Sequence, residues 1–293
     1  MLKRIKGFLS LLRPINCFMM GFAVLIGEFI TLNGKLQTVP SILGFFTAFT
    51  LTGSAMVIND YFDRYVDLKN NPKKPIPSGL INPKEAVIFA LTLALIGLFL
   101  AAITSIYTLS LNIFLVAVFA YLLSTYYNAE GKKFGFLGNL MVSGCVAIPF
   151  IYGGFIAGYF PSKLLLIFAL IAFLANTGRE VIKGIVDVEG DKIRNVKTLA
   201  IVKGEKFAAK VGGLLYFLAV SLSLTPIIFN LASYWYTPIV GVSCLGFTLS
   251  SISIIRDSSA ENARKIKNMV LIWFIFGMLA FIFGALPQPP AFL

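Results

Sequence analysis

The sequence predicts an all-α integral membrane protein, a bundle of about nine transmembrane helices. Three observations lead there. Hydrophobic residues make up 58% of the 293 positions and charged residues only 13%, where a soluble domain would be about a quarter charged. Mean hydropathy is +0.86. Apolar stretches long enough to cross a bilayer recur along the whole chain without strand-like alternation, which excludes a closed sheet and leaves helices to satisfy the backbone in lipid.

The elements follow in order. The opening MLKRIKGFLSLLRP is basic, then apolar, and lacks a small-x-small cleavage site, so it reads as a retained first helix and not a removed signal. Spanning helices are expected at 14–33, 41–60, 84–103, 106–127, 137–157, 162–181, 207–229, 235–255 and 267–286. Turn formers mark the joins: Asn33-Gly34, Pro40, the NNPKKPIPSG run at 70–79, Pro83 and Pro161. Thr104-Ser105 leaves room only for antiparallel neighbours. The domain expectation is a single unit over 1–293: two four-helix pseudo-repeats, approximately 14–127 and 137–255, plus an extra helix at 267–286, around a central cavity.

Charge sets the orientation. With the N-terminus in the cytoplasm, all but Lys35 and Lys163 of the 25 Lys and Arg fall on the cytoplasmic side, as the positive-inside rule requires of correctly placed spans. This predicts a multi-pass protein of the cell membrane with a cytoplasmic functional face and an outside C-terminus. Anionic headgroups account for Lys3, Arg4 and Lys6. Glu28 is the one acidic residue off that side, and the remaining carboxylates are clustered in a way headgroup attraction does not explain.

Cys17, Cys145 and Cys244 are scattered in apolar surroundings without metal spacing, and read as small core residues. The chain has no histidine. Ser–His and Cys–His nucleophiles, ordinary zinc sites and His-held haem are therefore excluded. No nucleic-acid partner and no obligate protein partner is inferred; membrane lipids are the expected surroundings.

The informative stretch is NDYFDRYVDLKNN. If the second helix continues through it, Asn59, Asp63 and Asp67 form one drifting stripe with Asp60 beside it. Like charges four residues apart repel, so positive groups must sit against them. In REVIKGIVDVEGDKIRNVKTLA, Asp187 and Asp191 repeat the spacing, with Glu189 on another face. One common offset superposes Asp63 on Asp187, Asp67 on Asp191 and Lys73 on Lys197, which suggests a parallel repeat with the two clusters facing each other. Paired carboxylates without His or Cys describe a hard-cation site. Mg²⁺ takes oxygen ligands together with phosphate oxygens and water, and a diphosphate is the natural third party. Arg64, Lys73, Lys74, Lys183, Lys192, Arg194 and Lys197 are placed to neutralise the remaining charge.

At these residues the chain resembles the UbiA superfamily of intramembrane prenyltransferases. The family's NDxxDxxxD motif is matched by Asn59, Asp60, Asp63 and Asp67, and its second DxxxD motif by Asp187 and Asp191. PIPSG at 75–79 and KTLA at 197–200 are similar too, and the nine-helix count agrees. GREVIKGIVDVEGDK looks most like the archaeal digeranylgeranylglyceryl phosphate synthases. That resemblance implies transfer of a geranylgeranyl group from its diphosphate to the hydroxyl of geranylgeranylglyceryl phosphate. It implies Mg²⁺ on Asn59, Asp63, Asp67, Asp187 and Asp191, with Asp60 a ligand or a partner of the ligands. For the acceptor's phosphate, Arg13 with Asn16, and Lys132-Lys133 after Tyr126-Tyr127, are the candidates outside the metal cage. Two readings compete: a UbiA-type enzyme acting on an aromatic or quinone precursor, and a cation-coupled membrane transporter. The transporter expects its acids near mid-membrane, whereas these lie at one face. Gly153-Gly154 and Gly212-Gly213 are read as helix-packing positions.

Overall fold

A computed structural model describes residues 2–193 and 196–287. Among them there is no strand, and nine helices are long and apolar enough to cross a membrane. Arg194, one of the expected neutralising residues, lies outside the described residues.

The N-terminal segment forms a helix of its own, α1 (Leu2–Leu12), followed by α2 (Pro14–Thr31). Pro14 disfavours helical geometry in the residue before it while fitting the first turn of the next helix. Arg13 accordingly takes a left-handed conformation at the joint (φ 51°). The next helix, α3 (Thr38–Asn70), has 33 residues, well beyond the expected 41–60. At 1.5 Å per residue it is about 50 Å long, against about 30 Å of hydrocarbon. Its apolar part ends near Ile58, and the acidic motif rides on the turns beyond.

α4 (Pro83–Tyr107) starts from a capping box of Asn82 and Glu85. It does not stop at the expected Thr104-Ser105. The Thr104 hydroxyl donates to the Leu100 carbonyl (2.8 Å), and the turn falls later, at left-handed Leu109 before α5 (Leu111–Ala129). A 3₁₀ turn (Gly131–Phe134) leads into α6 (Phe136–Ile156). α7 (Lys163–Val186) runs beyond the expected 181, and Asp187 caps it before the short α8 (Val188–Ile193) and α9 (Leu199–Lys203). The expected 207–229 helix is divided into α10 (Glu205–Ser223) and α11 (Thr225–Ile228), because Pro226 cannot continue the hydrogen-bond ladder. After α12 (Tyr236–Arg256), α13 (Ala260–Gly284) begins earlier than expected: Ser259 caps it through the Asn262 N–H. Lys267 is therefore helical and not part of a connection.

The helices cluster into two compact units. One holds residues 1–28, 36–132 and 148–159; the other holds 29–35, 133–147 and 160–293. In the first, α3 packs against α1, α4 and α5. Gly27 and Gly153 let α2 and α6 touch backbone to backbone: a Cβ on either would lie 2.0 Å from a carbonyl oxygen, of Phe150 and Val24 respectively. Buried Glu28 accepts from the Gln37 N–H (2.9 Å) and the Ser41 hydroxyl (2.7 Å), tying α2 to the start of α3. In the second unit, α7 packs against α10 and α13, and α12 lies against both of those. Phe168 stacks on Phe281 (4.0 Å between ring centroids) and on Tyr236 (5.5 Å). Both units carry many exposed Leu, Ile and Phe on their helices, the surface expected of a protein solvated by lipid.

The α2–α6 approach yields a test. Gly153→Ala is expected to cost about 1–3 kcal/mol through overpacking. Gly241→Ala, in α12 with nothing within 4 Å of the added carbon, should not lower thermal stability in detergent and should raise it slightly, by up to about 1 kcal/mol of helix propensity.

Candidate active site

The last turns of α3 present four polar side chains to two different neighbours. Asn59 and Asp63, one turn apart, share Lys132 from the 3₁₀ turn. Its Nζ lies 2.6 Å from Asn59 Oδ1, 3.0 Å from Asp63 Oδ2 and 3.2 Å from Asp63 Oδ1. Asn59 Nδ2 also donates to Asp63 Oδ2 (3.2 Å). Asp60 and Asp67, two turns apart, share Lys74, whose Nζ lies 2.6 Å from Asp67 Oδ2 and 3.3 Å from Asp60 Oδ1. Arg13 completes the set: Nη2 donates to Asp60 Oδ1 at 2.7 Å. Both Asp60 and Asp67 are buried, each 4% exposed.

Three of the expected basic residues thus meet at the motif, Arg13 and Lys132 from distant parts of the chain and Lys74 from the loop just after α3. Arg13 and Lys132 were expected outside the metal cage; the structure puts both on the motif's own carboxylates, because buried acids need opposite charge. The left-handed joint at Arg13 turns that side chain onto α3. Asn16 does not reach a carboxylate: its Nδ2 lies 3.7 Å from Met56 Sδ, beside Arg13 Nη1 at the same distance from that sulfur. Arg64, adjacent to Asp63 in sequence, points elsewhere. It donates to the Tyr61 carbonyl (2.6 Å) and lies over the rings of Tyr61 and Tyr65 (4.2 and 4.3 Å). Tyr127 has the Lys132 ammonium 6.0 Å from its ring centroid. Lys73 is exposed.

In the second unit, Asp187 and Asp191 are half-buried where α7 passes into α8. The Asp191 N–H donates to the Asp187 carbonyl at 2.8 Å, so the helical spacing survives the break. Lys183, one turn earlier, donates to Glu180 (3.2 Å), which also accepts from Arg179 (3.0 Å). Arg179 Nε in turn reaches the Lys267 carbonyl on α13 (3.3 Å). Arg179 and Glu180 escaped the sequence reading. Their signal was present, since ionisable residues inside a predicted span are functional candidates by default. The KTLA segment is pinned by backbone: the Lys197 N–H faces the Lys133 carbonyl at 3.5 Å, and left-handed Gly135 (φ 58°) meets the Lys197 carbonyl so closely that a Cβ would lie 1.9 Å from it. The side chains of Lys133, Lys192 and Lys197 are exposed.

Chemically, Asn59 and Asp63 are an all-oxygen donor set. Their three oxygens already surround one cationic nitrogen at 2.6–3.2 Å, which fits a hard cation such as Mg²⁺. Within neither unit, among the described residues, do three Asp, Glu, Cys or His side chains gather closely enough to hold a metal by themselves.

The sequence profile of the UbiA prenyltransferase family matches residues 20–275. The chain belongs to the UbiA prenyltransferase family. It is a multi-pass membrane protein, and the family assignment sets aside the transporter reading. Among its UbiA relatives, the digeranylgeranylglyceryl phosphate synthase of Pyrococcus furiosus is 32% identical over 290 residues, covering 97% of this chain and 99% of the relative. The synthase of Archaeoglobus fulgidus is 34% identical over 292 residues, 97% of each chain. A solved structure of digeranylgeranylglyceryl phosphate synthase superposes with a TM-score of 0.80 at 31% identity, over 96% of this chain and 98% of that one. A UbiA homolog from Archaeoglobus fulgidus bound to GPP and Mg²⁺ shares the fold, with a TM-score of 0.68 at 21% identity over 94% of this chain and 99% of that one.

The ion pairs themselves are testable. Arg13→Met leaves buried Asp60 with Lys74 alone at 3.3 Å and is expected to cost about 1–3 kcal/mol of stability. Adding Asp60→Asn should return much of that loss, so a double-mutant cycle on thermal unfolding reads a coupling energy; strict additivity would deny the pair.

Proposed function

We propose that the protein is an Mg²⁺-dependent prenyltransferase that moves a geranylgeranyl group from geranylgeranyl diphosphate to the hydroxyl of geranylgeranylglyceryl phosphate. The product is an ether lipid precursor, and diphosphate is released. The observation that carries the choice of substrates is the near full-length identity to relatives named for that activity. The oxygen cluster on α3 supports the chemistry.

The site we infer draws on both acidic motifs. Asn59, Asp63 and Asp67 would supply metal oxygens from α3; Asp187 and Asp191 would supply them from the α7–α8 break. When bound, Mg²⁺ supplies Lewis-acid stabilisation of the negative charge that develops on the departing diphosphate. Lys74, Lys132 and Lys183 would add N–H donors to the diphosphate oxygens, and Asp60 would hold Arg13 in place. The allylic carbon–oxygen bond breaks with its electron pair leaving on diphosphate. The acceptor oxygen closes on the freed carbon, and its hydroxyl proton is lost to the released diphosphate or to water. Apolar walls, the loop at 71–80 and the short helices α8 and α9 would keep water from taking the acceptor's place. The same reading puts the site and the N-terminus on the cytoplasmic face of the cell membrane, with the C-terminus outside. The two four-helix pseudo-repeats around a central cavity belong to this proposal as well.

Purified protein in detergent, given Mg²⁺ and radiolabelled geranylgeranyl diphosphate, should alkylate geranylgeranylglyceryl phosphate and stop with EDTA. Asp63→Ala combined with Asp187→Ala should lower turnover by on the order of 10²–10³ or more. Transfer to a quinone precursor in preference to the glyceryl phosphate would move the protein to another branch of the family. Turnover that persists after chelation would end the metal reading.

A further inference from the structure

Among the described residues, the three carboxylates on α3 face three cations: Asp60 meets Arg13 and Lys74, Asp67 meets Lys74, and Asp63 meets Lys132. A dication entering a neutral cluster gains little from it. Metal ligation by Asn59 and Asp63 also requires the very oxygens that Lys132 occupies at 2.6–3.2 Å. Asp67 is held in the same way by Lys74 at 2.6 Å.

The three cations differ in chemistry: Arg13 holds Asp60 with a planar guanidinium that also lies at Met56 Sδ. Lys74 and Lys132 are point charges on flexible stems; the Lys74 side chain is 27% exposed over Asp60 and Asp67 at 6%, and that of Lys132 is 19% exposed over Asp63 at 16%. The ammonium groups can swing while the carboxylates stay.

We propose that Lys132 and Lys74 are placeholder cations. They keep the acidic motif neutral until metal and diphosphate arrive together, and then pass their N–H bonds from carboxylate to diphosphate oxygens. Metal binding and diphosphate binding are thereby coupled, each strengthening the other by the same factor. A diphosphate ester carries more negative charge than one Mg²⁺ cancels, so the released ammonium groups have an immediate partner. This rests on the diphosphate substrate proposed above and adds positioning roles for two lysines.

Metal affinity can be read without turnover. Mn²⁺ alone, titrated into the full-length protein in detergent and followed by loss of the free-ion EPR signal, should bind weakly. In Lys132→Met it should bind about tenfold more tightly, the size of a typical coupling between sites. The gain should vanish in Lys132→Met with Asp63→Asn, which assigns it to this motif. Lys73→Met, removing an exposed charge next to Lys74, should leave Mn²⁺ affinity unaltered. Equal or weaker Mn²⁺ binding in Lys132→Met overturns the proposal, and so does equal tightening in Lys73→Met, which would make the effect one of general charge.

Thermal unfolding of the unmodified protein gives a second reading that needs no variant to fold. Mg²⁺ with inorganic pyrophosphate should raise Tm clearly more than the two separate shifts combined. An equal shift from Mg²⁺ alone refutes the coupling. If the coupling holds while no prenyl group is transferred, the assigned substrates fail and the placeholder role stands. If transfer occurs without the coupling, the reverse is true.

Discussion

The local structure of the first unit turns on one electrostatic constraint: three carboxylates on adjoining turns of a single helix must be balanced without leaving any of them unpaired and buried. Like charges at this spacing repel along α3, and an uncompensated buried carboxylate costs several kcal/mol. The balancing cations do not come from α3. Arg13 comes from the α1–α2 joint, Lys74 from the loop after α3, and Lys132 from the turn after α5. Two of these segments are also held by apolar burial: Leu11, Ile76 and Ile81 join Val57 and Ile58 of α3 in one core cluster. Pro14 sets the left-handed residue at the first joint, and buried Ile76 and Ile81 order the 71–82 loop; both then deliver a cation to the acids.

Lipid imposes the second constraint, and it made the fold legible. A segment in hydrocarbon must be helical and apolar, so hydropathy alone located nine spans. It located their ends less well, because hydropathy reports where hydrocarbon stops and not where the helix stops. α3 and α7 carry on past their apolar parts through charged turns, and α13 starts in AENARKIK before its apolar part begins. Polar residues with good helix propensity, aided by caps such as Ser259, extend a helix into the headgroup region without any signal in the hydropathy. The separate α1 was hidden for a related reason. Its basic and apolar residues read as part of the first span, and only the geometry that Pro14 imposes on Arg13 divides them.

The site was legible to a different depth. The spacing of Asn59, Asp60, Asp63 and Asp67 is a local property of one helix and could be read directly. Their partners are separated from them by up to 73 residues, and no spacing rule reaches that far. Proximity in sequence even misleads: Arg64 adjoins Asp63 yet lies on Tyr61 and Tyr65, while Lys132 supplies the charge. The split of the motif into an Asn59/Asp63 pair and an Asp60/Asp67 pair has the same origin. Helical periodicity allows both groupings, and the positions of Lys132 and Lys74 choose between them.

The position of the motif along α3 bears on what kind of ligand it can serve. Asn59 lies 21 residues after Thr38, about 32 Å at 1.5 Å per residue, roughly the thickness of the hydrocarbon layer. The oxygen donors therefore begin where the apolar phase ends. An ion carried through the membrane would need its ligands near the midplane. A prenyl diphosphate has the opposite requirement, since its tail is stable only in hydrocarbon and its head only among cations and water. A helix that is apolar for one bilayer thickness and acidic immediately afterwards, with lysines folded onto the acids, matches that division within a single element. Moving the motif two turns toward Thr38 would bury both the carboxylates and their lysines in hydrocarbon; moving it two turns the other way would strand the reacting carbon in water.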